Sequence, residues 1–82
     1  MLITGLYDKL AGKYVQFIPT LNIGVLRRDF KNTMKAGSIY FESADDFSVY
    51  ILAEIDDTTG EALPKYELAF ELALIKDDPQ VQ

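Results

Sequence analysis

Two turns with one grammar restrict what this chain can fold into. Asp8-Lys9-Leu10-Ala11-Gly12 and Asp56-Asp57-Thr58-Thr59-Gly60 each begin with aspartate and end with glycine, and a charged residue follows, Lys13 or Glu61. A closing glycine can take positive φ, as a type I turn ended by a left-handed residue requires. Strand-like sequence flanks both turns: residues 2–7 and 14–18 surround the first, residues 47–55 and the stretch from Glu61 onward the second. The chain therefore reads as two β-hairpins.

Side-chain alternation gives each strand its faces. In residues 14–18, Val15 and Phe17 fall on one face, Tyr14 and Gln16 on the other, and Pro19 ends the run. In residues 47–55, Phe47, Val49, Ile51, Ala53 and Ile55 oppose Ser48, Tyr50, Leu52 and Glu54. Between the hairpins, Ile23, Leu26, Phe30 and Met34 form the apolar stripe of a helix over residues 21–35. Thr20 would cap its start, Gly37 would stop it, and Lys35 would suit its negative end. Gly24 inside it costs about 1 kcal/mol relative to alanine. Residues 38–46 read as a loop, with a short extended piece at Tyr40 and Phe41.

The last apolar run reads two ways. Tyr66, Leu68, Phe70, Leu72 and Leu74 alternate as in a strand, whereas Leu68, Leu72 and Ile75 fit a helical stripe. The aromatic residues and the preceding Pro64 favour the strand. The expected architecture is α+β: a small antiparallel sheet of β-β-α-β-β order with one amphipathic helix packed on one face. Residues 1–76 form a single domain in this reading, and residues 77–82 a flexible acidic tail. Phe17, Phe30 and Phe47 are assigned to the core.

With 82 residues there is room for one domain, and 49 % hydrophobic content is enough for a small core. No cysteine is present, so no disulfide staples it. Oligomerisation is the remaining source of extra stability, and a homodimer is expected. No apolar run approaches the roughly 20 residues of a membrane span, and no signal peptide is read at the start. Histidine, cysteine and tryptophan are all missing. Without the usual general base, thiol nucleophile and soft-metal ligands, the chain is expected to bind rather than catalyse, with no metal and no cofactor.

Charge is sorted along the chain. Residues 1–36 hold six of the eight basic side chains against Asp8 and Asp29, a balance of +4, while residues 37–82 carry −9, for a net −5. Arg27, Lys31 and Lys35 recur at four-residue spacing on the expected helix, with Arg28 beside them. Lys9 and Lys13 on the first hairpin could extend this ridge. Such a ridge could neutralise the phosphates of a nucleic acid, and the plain alternative is a solvated helix face. The acidic total weakens long-range steering, but a basic face acts locally, within a Debye length of about 8–10 Å.

Tyr7, Tyr14 and Tyr50 lie on strands, and any that face solvent could stack on unpaired bases. Tyr14, next to Lys13, is the foremost candidate; core or dimer-interface packing is the competing role. Asp56, Asp57 and Glu61 lack the ligand number and spacing of a calcium loop and read as solvated turn carboxylates. Glu67 and Glu71 read as a solvated edge or, alternatively, as part of an acidic end that docks on a partner protein.

One further observation concerns a family. The run Gly5-Leu6-Tyr7-Asp8-Lys9-Leu10-Ala11-Gly12-Lys13-Tyr14 is followed by Gln16-Phe17-Ile18-Pro19 and by Arg28-Asp29-Phe30 after Val25 and Leu26. A strand from Asp46 to Tyr50 then leads to the acidic turn Glu54-Ile55-Asp56-Asp57-Thr58-Thr59-Gly60-Glu61. This order resembles the small nonstructural protein of gokushoviruses, single-stranded DNA phages of the microvirus group, over about the first 60 residues. The resemblance implies a DNA-binding protein made during infection, absent from the virion, in the host bacterial cytoplasm. It implies a task in shifting replication from duplex copying to single-strand production, with no catalytic residues. The end from Tyr66 to Asp78 does not match the family pattern. On this basis the expected partner is single-stranded DNA, bound without sequence preference and away from any membrane. Lys9, Lys13, Arg27, Arg28, Lys31 and Lys35 would contact phosphates, and Tyr14, with Tyr7 second to it, would stack on bases. Four neutralised phosphates would give a salt slope near −3, at roughly 0.7 per contact.

Overall fold

Both turns close as their shared grammar requires. In a computed structural model describing residues 1–35 and 37–76, Asp8 Oδ1 accepts from the N–H groups of Leu10 and Ala11 at 2.9 and 3.1 Å. Gly12 N–H donates to the Asp8 carbonyl at 2.8 Å. Asp56 repeats the pattern with Thr58 at 2.8 Å, Thr59 at 3.2 Å and Gly60 at 2.8 Å. Gly12 and Gly60 hold φ of +72° and +77°, the left-handed region in which a Cβ is strained.

The turns join β1 (Leu2–Asp8) to β2 (Lys13–Thr20) and β3 (Phe47–Ile55) to β4 (Ala62–Glu71). The spatial order is β2-β1-β3-β4, antiparallel throughout. The hairpins thus meet through β1 and β3, leaving β2 and β4 as edges.

Helical elements exceed the single one expected. Helix α1 (Ile23–Thr33) follows β2; α2 (Ile39–Glu42) and a 3₁₀ turn (Ala44–Asp46) precede β3; α3 (Leu72–Lys76) follows β4. The class is α+β with a four-stranded antiparallel sheet, but the bare β-β-α-β-β series is not matched. Residues 38–46 coil into helical turns because Ser38 caps them, its hydroxyl accepting from Tyr40 N–H at 3.2 Å. The ambiguous last run is both things in turn: a strand to Glu71, then a helical turn that buries Leu72 and Ile75, three residues apart. Residues 77–82, expected as a tail, lie outside the described residues.

Helix α1 also starts later and ends earlier than its stripe suggests. Asn22 caps it, Oδ1 accepting from Val25 N–H at 2.9 Å. Thr20 instead ends β2, its hydroxyl 3.1 Å from that of Thr4 and donating to the Ile18 carbonyl at 3.0 Å. Lys35 falls beyond the helix.

The core lies between one sheet face and the helices. Leu6, Val49 and Phe70 from the sheet meet Leu26, Phe30 and Met34 of α1, Leu72 and Ile75 of α3, and Ala44 and Phe47. Each such large side chain contributes about 1.5–3 kcal/mol by burial. Phe30 and Phe47 sit where expected, whereas Phe17 does not: it is 62 % exposed.

Candidate functional site: an open aromatic sheet face

The misplaced Phe17 reveals a bulge. Leu6 pairs with Gln16 but Tyr7 pairs with Tyr14, so Val15 is an extra residue in β2. The extra residue breaks strict alternation. Tyr14 and Phe17, expected on opposite faces, therefore share one, opposite Tyr7 and Gly5. Gln16 and Ile18 take the other. Ala69 plays the same part in β4: Val49 pairs with Phe70, but Tyr50 pairs with Leu68. Phe70 enters the core, while Leu68 and Tyr66 join Tyr50 on the opposite face.

The result is an aromatic layer across all four strands, on the side away from the helices. Tyr7 meets Tyr14 at 5.0 Å and Tyr50 at 6.3 Å between ring centres, both edge to face. Tyr14 also meets Phe17 at 5.6 Å and Tyr50 at 6.3 Å. Tyr66 lies parallel to Tyr50, 5.2 Å away with 6° between planes. Tyr7, Tyr14 and Tyr50 are half-buried, whereas Tyr66 is 73 % exposed. Aromatic pairs of this kind contribute about 0.5–1.5 kcal/mol beyond their burial.

Tyr14 lies deep in the layer. Its hydroxyl is hidden from solvent and makes no hydrogen bond of good geometry among the described residues, although the Tyr66 phenol lies close enough to interact with it. Its pKa is pushed up to about 12, first by desolvation, then by the nearby phenols of Tyr66, Tyr50 and Tyr7. Tyr14 stays a neutral phenol throughout the physiological range.

The basic residues do not form one track. Lys9 sits 3.1 Å from Glu71 Oε2, which also accepts from the buried Ser48 hydroxyl at 2.6 Å. A base of the leading half is thereby tied to an acid of the trailing half. Lys13 is exposed at the start of β2, beside Tyr14 and opposite Asp8. Arg27, Arg28 and Lys31 ride on α1, with Arg28 exposed and the other two half-buried; Lys35 is exposed beyond it. These four belong to the helical layer, across the sheet from the tyrosines. Of the predicted residues, the structure brings Lys9, Lys13 and Tyr14 to one end of the sheet and leaves the helix set on the far side. Lys65, on β4, pairs with Glu54 at 3.1 Å, and that carboxylate raises its pKa.

Two residues that sequence reasoning missed are Phe17 and Tyr66, the most exposed rings of the layer. The alternation beginning after Pro64 held a signal for Tyr66. No local signal marks the bulge that turns Phe17 outward.

Elsewhere, a groove of about 310 Å³ runs between α1 and β2, lined by Ile18, Phe30, Tyr40 and one carboxylate, Asp29. Asp56 is engaged in its own turn. Among the described residues, no three metal-ligating side chains come together, and no helix is long and apolar enough to cross a membrane.

A four-stranded antiparallel sheet with helices on one side and an open aromatic face on the other defines a small α+β protein with two unlike surfaces. The chain belongs to the Phage ORF5 protein family, whose profile matches residues 1–68. The match spans the helix and both hairpins and stops short of the end of β4. No curated protein and no solved structure matches the chain.

Proposed function

We propose that this phage protein binds single-stranded DNA by stacking bases on its open sheet face. One observation carries the reading: five aromatic rings share a sheet face that no helix among the described residues covers, and the outer two, Phe17 and Tyr66, are mostly exposed. Stacking on such rings contributes about 1–3 kcal/mol per base and tolerates any sequence. Lys13, and Lys9 when released from Glu71, would hold phosphates at the hairpin end. The reading needs no catalytic step, metal or cofactor.

In this proposal the protein is a gokushovirus-like nonstructural protein acting in the host bacterial cytoplasm and left out of the virion. By coating viral single strands it would favour single-strand production over duplex copying. A homodimer would double the stacking surface.

The test is a titration of labelled single-stranded and duplex oligonucleotides at two salt concentrations. Single strand should bind better, with a salt slope near −0.7 for the one phosphate that Lys13 holds while Lys9 stays on Glu71, at roughly 0.7 per contact. That is shallower than a six-cation track would give. No retardation of single strand at low salt would reject the reading. A second proposal, docking on a phage or host replication protein, draws on the β4 edge, where Glu67 and Leu68 are exposed. It expects Glu67→Lys to abolish pull-down of that protein and leave DNA binding unchanged.

A further inference from the structure

Resting on the stacking reading, we infer that a second copy of this chain pairs with the open edge of β2, antiparallel and two-fold at Phe17, so that two aromatic faces join into one binding surface. The ladder shows which backbone groups face that edge. In an antiparallel pair, residues that hydrogen-bond to their neighbour alternate with residues that do not. Pro19, opposite Ile3, has no N–H and belongs to the second kind. Ile18, opposite Thr4, belongs to the first, and its carbonyl accepts from Thr4 Oγ1 at 2.9 Å. Phe17, opposite Gly5, is again of the second kind. Its N–H and C=O therefore point away from β1, where no strand lies beside them among the described residues.

Such an edge is a template for another strand, and folded proteins guard it with charge. β4 is guarded in this way by Lys65, Glu67 and Glu71. β2 has no charged residue from Tyr14 to Thr20. Both of its sides are apolar instead. Phe17 is exposed on the aromatic side, and on the helical side Ile18 opens onto the groove floored by Leu26 and Phe30. Leu21, just past the strand, is 83 % exposed. The partner that suits this edge is an uncharged extended strand with apolar side chains on both faces, and β2 of a second copy is such a strand.

An axis at Phe17 satisfies the ladder. The two Phe17 residues become a hydrogen-bonded pair, each N–H donating to the other's carbonyl, with Cα atoms about 5.5 Å apart. Their rings then stand side by side on the aromatic face. On the helical face, Gln16 of one copy meets Ile18 of the other. Val15 falls opposite Pro19, where the bulge and the missing N–H end the pairing, so the joint is short and self-association follows concentration. A two-fold interface uses the same patch on both copies and closes on itself. One sheet of twice the width then carries both aromatic layers on one side, each copy extending the other's surface.

The chain has no cysteine, so a single introduced one reports on the joint. In Phe17→Cys the two thiols face each other across the axis at a Cα separation inside the range of about 4.4–6.8 Å that a disulfide spans. Mild oxidation should link this variant into dimers. Leu68→Cys, also exposed but on the β4 edge, should stay monomeric. Sedimentation equilibrium of the unaltered chain should show monomer and dimer exchanging with concentration. Gln16→Glu sets two carboxylates beside the axis, in the groove that Asp29 already lines and away from the rings, and should weaken the dimer at least tenfold. Circular dichroism melting shows whether the variants remain folded. At concentrations where the unaltered chain is dimeric, Gln16→Glu should bind octathymidylate within about threefold of it. A thymidylate of about 30 nucleotides, long enough to engage both copies, should bind the variant at least tenfold more weakly. A monomer at every concentration would overturn the inference while single-strand binding stood. So would Leu68→Cys linking as fast as Phe17→Cys, or a dimer that Gln16→Glu leaves intact. A linked dimer that retains neither oligonucleotide would remove the stacking reading itself, and the joined binding surface with it.

Discussion

The Tyr14 ring lies directly on Gly5. A Cβ at residue 5 would come 2.7 Å from Tyr14 Cδ1 and 2.8 Å from Leu52 Cδ1, closer than such atoms can approach. Gly5 is in a central strand, where glycine ordinarily weakens pairing and packs no side chain. Here the missing side chain makes a hollow that lets the aromatic layer sit on the backbone. Gly5→Ala should lift Tyr14 and destabilise the fold by about 1–3 kcal/mol through overpacking. Chemical denaturation measures the loss. The same variant should weaken single-strand binding, because Tyr14 contacts both Phe17 and Tyr50 in the aromatic layer.

Tyr14→Phe should have the opposite effect on stability. The hydroxyl is buried with no well-formed hydrogen bond among the described residues, the Tyr66 phenol interacting with it only weakly, and an unsatisfied buried polar group costs about 1–3 kcal/mol. Removing it should stabilise the protein by about 1 kcal/mol at neutral pH. The pH dependence identifies the group. An unfolded chain ionises this phenol near 10.0, and the folded one holds it to about 12. Between those values the unfolded state binds fewer protons, so stability falls as pH rises. Below about pH 10 the contribution is intact. Tyr14→Phe should remove its share of the alkaline loss, and denaturation midpoints from pH 9 to 12 would show a flatter curve.

The turns were legible in the sequence because their chemistry is local. An aspartate side chain reaching two backbone N–H groups, with a left-handed glycine at the end, is determined within five residues. The core positions of β3 and α1 were legible for a related reason, since Phe47, Val49, Leu26 and Phe30 follow undisturbed periods. The aromatic face was not. It depends on bulges at Val15 and Ala69, which arise from pairing with another strand and leave no mark on the strand's own pattern. One such residue moved Phe17 from the expected core to the surface. The proposed basic track failed to form for a similar reason. Charge spacing along α1 is visible in sequence, but the side of the sheet that α1 covers is decided by Leu6, Val49 and Phe70.

The bridge between Lys9 and Glu71 gives a gain-of-function test. Glu71 Oε2 holds both the Lys9 ammonium and the Ser48 hydroxyl. Glu71→Gln would keep an acceptor for Ser48 while removing the charge that occupies Lys9. As Lys9 is about half exposed, the lost pair should cost no more than about 1 kcal/mol of stability. The freed ammonium becomes available to a phosphate. Single-strand affinity at low salt should rise, and the salt slope should steepen by about 0.7, one more contact. An unchanged slope would mean that Lys9 does not touch the DNA.

The helix cations provide the complementary test. Arg28 and Lys35 are exposed but belong to the helical layer, whereas the rings occupy the opposite side of the sheet. A strand lying across the aromatic face reaches them only by wrapping around the β2 edge. Arg28→Glu with Lys35→Glu adds four negative charges' difference to a chain already at −5, which should slow encounter somewhat at low salt. Exposed charges beyond a Debye length of about 8 Å are largely screened at physiological ionic strength, so affinity there should change by less than about threefold. The salt slope should stay near that of the unaltered protein. A tenfold loss with a slope reduced by about 1.4 would instead show that two phosphates rest on the helix side, and that the strand wraps the domain rather than lying on one face.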